Sequence, residues 1–181
     1  HRAVRYVEEE REDEVTLQFG PNDPAYLQGF NWHLKKIGCP AAWDIQRSGV
    51  LTAICDSGMQ PNHPDGGLIV DARNFTSSPT ADDVYGHGTH VGGIVGARSN
   101  NGLGVTSVAF ECPLLNAKCI ADFGSGSFSW MAQAAIWAVQ RGAKVINFSA
   151  AAPTGSQVMA DAAKWVWDNG AIIVAAAGNQ N

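Results

Sequence analysis

The sequence predicts an α/β fold, a parallel β-sheet with helices on both faces. Two observations carry that expectation. From residue 49 onward, short apolar runs of strand length alternate with longer stretches whose apolar residues recur at helical spacing. The links between them are short and contain glycine, the pattern of βαβ units.

The elements follow in order. "GVLTAIC" (49–55) is a compact run rich in β-formers, and it ends at Asp56-Ser57-Gly58. A polar region rich in proline and glycine extends to about Gly86. "HVGGIVGA" reads as a small-residue helix and "PLLNAKCI" as a strand. "FSWMAQAAIWAVQRG" has helical spacing, with Gly142 as its stop. "AKVINFS" is a strand, "SQVMADAAKWVWDNG" a helix stopped by Gly170, and "AIIVAAA" a strand. Ile172, Ile173 and Val174 give this last strand the look of one buried on both faces. The first twenty residues stand apart as a linker or processing segment, and globular composition begins near Pro21.

Composition narrows the function. The chain has 181 residues, 45% hydrophobic and 16% charged, with a net charge of -5. That length suits one domain or most of one. Residues 1–14 hold six acids against three arginines, and the remainder is close to neutral. There is no basic cluster for nucleic acid. No apolar run reaches membrane-spanning length. Four cysteines (Cys39, Cys55, Cys112, Cys119) form no CxxC pair and no disulfide framework. Cys55 reads as a buried free thiol, whereas Cys112 and Cys119 are left open to bridging.

In open parallel sheets, ligands bind outside the carboxyl ends of the strands. The positions to examine are therefore Asp56, residues 122–126, residues 149–153 and Gly178-Asn179. Asp56 ends a buried strand, where a carboxylate is costly unless something accepts its charge. It reads either as a turn cap or as an acid that orients a histidine. The histidine is in "DVYGHGTHVGGIVGA", where His87 opens the helix. Gly88, Gly92, Gly93 and Gly96 would each weaken an ordinary helix, so their density argues for close packing on a neighbour. His90 lies three residues on, which leaves a metal pair to be weighed against one catalytic and one packed histidine. Gly88 stands where a zincin would carry glutamate, which weakens the metal reading.

"DSG", "NHPD", "HGTHVGG" and "VAAAGN", in that order, resemble the subtilisin-like serine proteases, the subtilases. The resemblance runs from about Pro21 to the last residue. It implies that Asp56 is the triad's acid, His87 its general base and Asn179 the oxyanion donor. The family's nucleophile lies in a G-T-S-x-A-x-P motif downstream of the asparagine, and no serine in residues 1–181 occupies such a motif. The resemblance therefore implies a serine endopeptidase whose first two-thirds span residues 21–181, a sheet incomplete at the C-terminal side, and a stretch inactive by itself. The alternatives are a non-catalytic interaction module and, further off, a metal-dependent hydrolase using His87, His90 and Asp56.

Further implications concern partners. Polypeptide substrates would bind as an added strand along "FGSGS", with Gly124, Ser125 and Gly126, and along the segment at Ser149. There Ala151 and Ala152 replace two family glycines, a departure that would narrow the cleft or block the peptide's close approach. A structural Ca²⁺ would be held by Asp23, Asp65 and Asn101 with the carbonyls of Leu103 and Val105. "VRYVEEE" resembles the tail of the family's inhibitory pro-segment. That places residues 1–20 in the pro-segment, processing between Glu10 and Pro21, and the mature protein outside the cell.

Overall fold

The computed structural model describes residues 19–110 and 112–179. Most of the proposed pro-segment tail, together with Gln180 and Asn181, lies outside the described residues. Three short helices come first, α1 (Pro24–Leu27), α2 (Trp32–Lys36) and α3 (Cys39–Ile45). Then follow β1 (Thr52–Asp56), β2 (Ile69–Asn74), α4 (His87–Gly96), β3 (Leu114–Lys118) and α5 (Phe128–Gln140). The last elements are β4 (Val145–Phe148), α6 (Gln157–Asp168) and β5 (Ile172–Ala175). The five strands form one parallel sheet in the order β2-β3-β1-β4-β5. The α/β expectation holds.

Strand parity sorts the core. Ala53, Cys55, Leu115, Ala117, Ile146 and Phe148 face α5 and α6, where Ala134, Ala135, Ala138 and Val166 meet them. Ile54 and Leu114 point the other way, onto Val91 of α4 and Met59. Helices thus cover both faces. A serine caps each long helix: the Ser127 hydroxyl accepts from the Trp130 amide and that of Ser156 from the Met159 amide. Gly142 and Gly170, at φ 91° and 76°, end them in the left-handed conformation that a side chain disfavours.

The structure bears on four of the expectations. The polar region before Gly86 contains a strand, β2, at the sheet edge, and its alternating half-exposed residues lie between the proline-rich and glycine-rich stretches. Among the described residues β5 stands at the other end of the strand order, with Ile172 and Val174 45% and 50% exposed and Ile173 packed on the α6 side. Cys112 and Cys119 are free, and they sit at opposite ends of β3, so they do not bridge. All four thiols are buried. The glycines of α4 divide. A Cβ on Gly88 would lie 2.1 Å from the Gly58 carbonyl oxygen, and one on Gly96 2.9 Å from Cys112 Sγ, but one on Gly93 would meet open space. Close packing accounts for the first two and not for Gly93.

Candidate active site

Because all five strands run the same way, their carboxyl ends share one edge, with β1 at the centre. The chain builds β2 and β3 on one side of β1 and β4 and β5 on the other, so β1 borders the point where the winding reverses. Asp56 is the last residue of β1 and 2% exposed. Its Oδ1 accepts from the Ser57 amide at 2.7 Å and faces His87 Nδ1 at 2.7 Å. Its Oδ2 is buried with no hydrogen-bond partner among the described residues. The His87 side chain is 45% exposed. Against an ionised carboxylate Nδ1 carries the hydrogen, which leaves Nε2 on the open side with a lone pair.

A clamp holds this pair. Gly88 lets the first turn of α4 lie directly on the turn that follows β1. Asp83 receives the Gly86 amide and the Ser57 hydroxyl on Oδ1, and the Thr89 amide and hydroxyl on Oδ2. The Ser57 hydroxyl in turn accepts from the Gly88 amide at 2.9 Å. Burial alone would raise the Asp83 pKa, but the hydrogen bonds from Thr89, Gly86 and Ser57 outweigh it and hold the carboxyl below its ordinary value. Ser57 is therefore spent on the clamp, consistent with its place in the turn of the acid. Among the described residues no serine hydroxyl is hydrogen-bonded to His87. Sequence reasoning missed Asp83, although an acid just before a helix start is an N-terminal signal.

The other expected positions fall along the same edge. Gly126 pairs with Ile120 in an antiparallel bridge, and the Ala121 amide donates to the Ser125 carbonyl at 2.8 Å. Gly124, at φ 84°, lies under the Tyr85 ring, where a Cβ would be 2.5 Å from Tyr85 Cε2. Ser149 follows β4, and its hydroxyl accepts from Asn147 Nδ2 at 2.9 Å. Asn179 is exposed just past β5, after Gly178 at φ 92°. β5, which leads to it, lies two strands from β1, roughly 10 Å at the usual strand spacing. Ala151 and Ala152 are exposed, and the Ala151 methyl would lie 3.3 Å from a Cβ on Gly178.

The two histidines do not act together. His87 faces Asp56, while His90, with His33 and His63, lines a separate cavity of about 880 Å³ on the α4 side. Among the described residues no three His, Cys, Asp or Glu side chains group as metal ligands.

Asp23, Asp65 and Asn101 do come together. Asp23, fully buried, accepts from the amides of Asn100 and Asn101 and from the Thr106 hydroxyl. Asp65 accepts from Asn101 Nδ2 at 3.0 Å and from the Val105 amide at 2.8 Å. Two buried carboxylates and an amide oxygen are hard donors of the kind Ca²⁺ takes, and here each of these oxygens accepts from N–H or O–H groups of the 100–106 segment.

A buried carboxylate at the end of a central strand, paired with a half-open histidine on the helix α4, defines an α/β protein with an acid–histidine pair at the carboxyl edge of its sheet. Residues 47–181 match the Subtilase family, peptidase family S8. The chain is 37% identical over 164 residues to thermitase of Thermoactinomyces vulgaris, covering 89% of this chain and 58% of that protein. It is 34% identical over 163 residues to the thermophilic serine proteinase of Bacillus sp. (strain AK1), covering 88% and 40%. It is 34% identical over 182 residues to subtilisin E of Bacillus subtilis (strain 168), covering 98% and 45%. The chain belongs to the subtilase family. It spans about half the length of the curated relatives it matches.

Proposed function

We propose that the whole protein is a serine endopeptidase that hydrolyses peptide bonds with an Asp56–His87–serine triad. The observation that carries this reading is the 2.7 Å contact from Asp56 Oδ1 to His87 Nδ1, with the rest of the imidazole open. Nε2 takes the proton of the serine hydroxyl as the oxygen attacks the peptide carbonyl, and Asp56 steadies the imidazolium that forms. The Asn179 amide donates to the oxygen that becomes negative. The same proton then passes to the leaving amine, and water releases the acyl group by the reverse steps. The serine is supplied by sequence beyond Asn181. Polypeptides pair along 124–126 on one side and Ser149 on the other. Residues 1–20 act as the end of an inhibitory pro-segment, and the mature enzyme works outside the cell.

The test is hydrolysis of a peptide library by the whole gene product. Cleavage blocked by a serine-directed fluorophosphonate, and lowered about 10⁴-fold or more by His87→Ala, is the expected result. A folded, processed protein that cleaves nothing and takes up no fluorophosphonate refutes the reading. Ca²⁺ at Asp23, Asp65 and Asn101 is proposed as structural, without a part in the chemistry. Excess Ca²⁺ at about 100 times its Kd should stabilise the protein by about 2.7 kcal/mol. An unchanged melting temperature, with Asp65→Asn behaving as wild type, rules the ion out.

A further inference from the structure

Lys118 ends β3 opposite Asp56 in the strand register and is 0% exposed. A lysine is almost never buried so completely without partners. Its ammonium donates to the carbonyl of Ser57 and, at 2.8 Å, to that of Asp82. It also lies 2.8 Å from Asp122 Oδ1, an ion contact rather than a directed hydrogen bond. These three oxygens belong to different segments: the turn after the acid, the loop that leads into His87, and the loop that carries Gly124 and Gly126. The 81–82 loop is held a second time, by Asn116 Nδ2 on the Ala81 carbonyl at 2.9 Å. It also packs on Gly58, where a Cβ would lie 2.5 Å from the Ala81 carbonyl oxygen. The 122–126 loop has less support on that side, an Asp122 amide bond to the Ser78 hydroxyl at 3.0 Å and the Tyr85 ring against Gly124.

We propose that Lys118 is a positioning residue that couples the peptide-binding loop to the Asp56–His87 pair, so that occupation of residues 124–126 by an extended substrate improves turnover as well as binding. The proposal rests on the endopeptidase reading. A peptide seated on the loop pulls on Asp122, and the ammonium passes that constraint to the Ser57 and Asp82 carbonyls, which flank the acid and precede the base. A short substrate that never reaches the loop gains nothing from the link. Remote binding energy is then used at the reacting centre, in kcat rather than only in KM.

The test compares kcat for a long peptide reaching residues 124–126 with kcat for a short ester that does not, in the whole enzyme. Wild type should favour the long substrate. Lys118→Met should reduce that preference by about ten-fold in kcat, while Lys118→Arg, which keeps a cation for the same oxygens, should restore at least half of it. Asp122→Asn is half-way to the surface and leaves the lysine's carbonyl partners in place, so it serves if Lys118→Met does not fold, and it should lower the same ratio. Equal losses on both substrates, in a folded Lys118→Met or Asp122→Asn enzyme, overturn the coupling and leave Lys118 a structural tie. Failure of Lys118→Arg to restore the ratio while folded also overturns it. Wild type inactive on both substrates overturns the endopeptidase reading instead.

Discussion

Gly88→Ala sets two physical effects against each other. Helix propensity favours alanine over glycine by about 1 kcal/mol, so a local reading expects stabilisation. The packing says otherwise. The new Cβ would stand 2.1 Å from the Gly58 carbonyl oxygen and 3.1 Å from Asp56 Cβ, whereas real Cβ atoms essentially never come within 3.0 Å. The obstacle is backbone, so the first turn of α4 must retreat by about 0.9 Å, the shortfall between those distances. Overpacking of this kind costs about 1 to 3 kcal/mol, which outweighs the propensity gain and leaves a net loss of about 1 kcal/mol. At this chain size that lowers the melting temperature by about 2 to 4 °C. The same retreat carries His87 away from Asp56, and a contact now at 2.7 Å would lengthen past hydrogen-bond range. In the whole enzyme kcat/KM should fall about 100-fold. Gly93→Ala is the control, because its Cβ meets nothing within 4 Å, and it should gain about 0.5 to 1 kcal/mol. The assay is thermal unfolding of both variants beside wild type, followed by kcat/KM. If Gly88→Ala melts at or above the Gly93→Ala temperature, the close approach of α4 to the β1 turn is not what requires glycine, and the reasoning fails.

Asp83→Asn should cost about 1 to 2 kcal/mol at pH 7, because it removes a carboxylate that receives bonds from Ser57, Gly86 and Thr89. The folded pKa of Asp83 is depressed, so its contribution is present above about pH 3.9 and lost as pH falls through the folded value. Urea unfolding of the two proteins should therefore converge in acid, and a constant difference down to pH 2 would contradict the clamp. Burial raises the Cys55 thiol well above its ordinary value, with Cys119 and Asp56 adding to the effect, and raises Cys119 in the same direction. That stability is complete below about pH 8.5 and declines as pH rises toward the folded values. A thiol reagent at pH 8 should label none of the four cysteines in the folded protein and all four in urea, and fast labelling of the native protein would contradict their burial.

The parts of this molecule legible in its sequence are those in which a residue's own type and its near neighbours carry the information. Asp56 ends a run of β-formers, His87 opens a small-residue helix, and Gly142 and Gly170 stop helices at positive φ, as glycine there suggests. The helices α1, α2 and α3 span 4, 5 and 7 residues, too short for a period of 3.6 to declare itself.

Lys118 is the hardest case, and its difficulty is physical. In "LLNAKCI" a lysine reads as a polar interruption of a strand, and nothing within several residues marks it as fully buried. Its carbonyl partners lie 61 and 36 positions away, in segments placed beside it only when β1 and β3 pair and the 81–82 loop packs on Gly58. Asp56 and His87 are conspicuous because an acid–histidine pair needs particular side chains. Lys118 grips backbone from other segments, and Asp83 grips the Ser57 hydroxyl beside the Gly86 amide and the Thr89 amide and hydroxyl, and each needs only a charge in the right place once the sheet has formed. Backbone groups are the same for every residue type, so the sequence of the gripped segments carries no sign of being gripped. For the same reason substitutions at Asp82 that leave its carbonyl in place should leave the lysine's hold intact, and the link is broken from the Lys118 side.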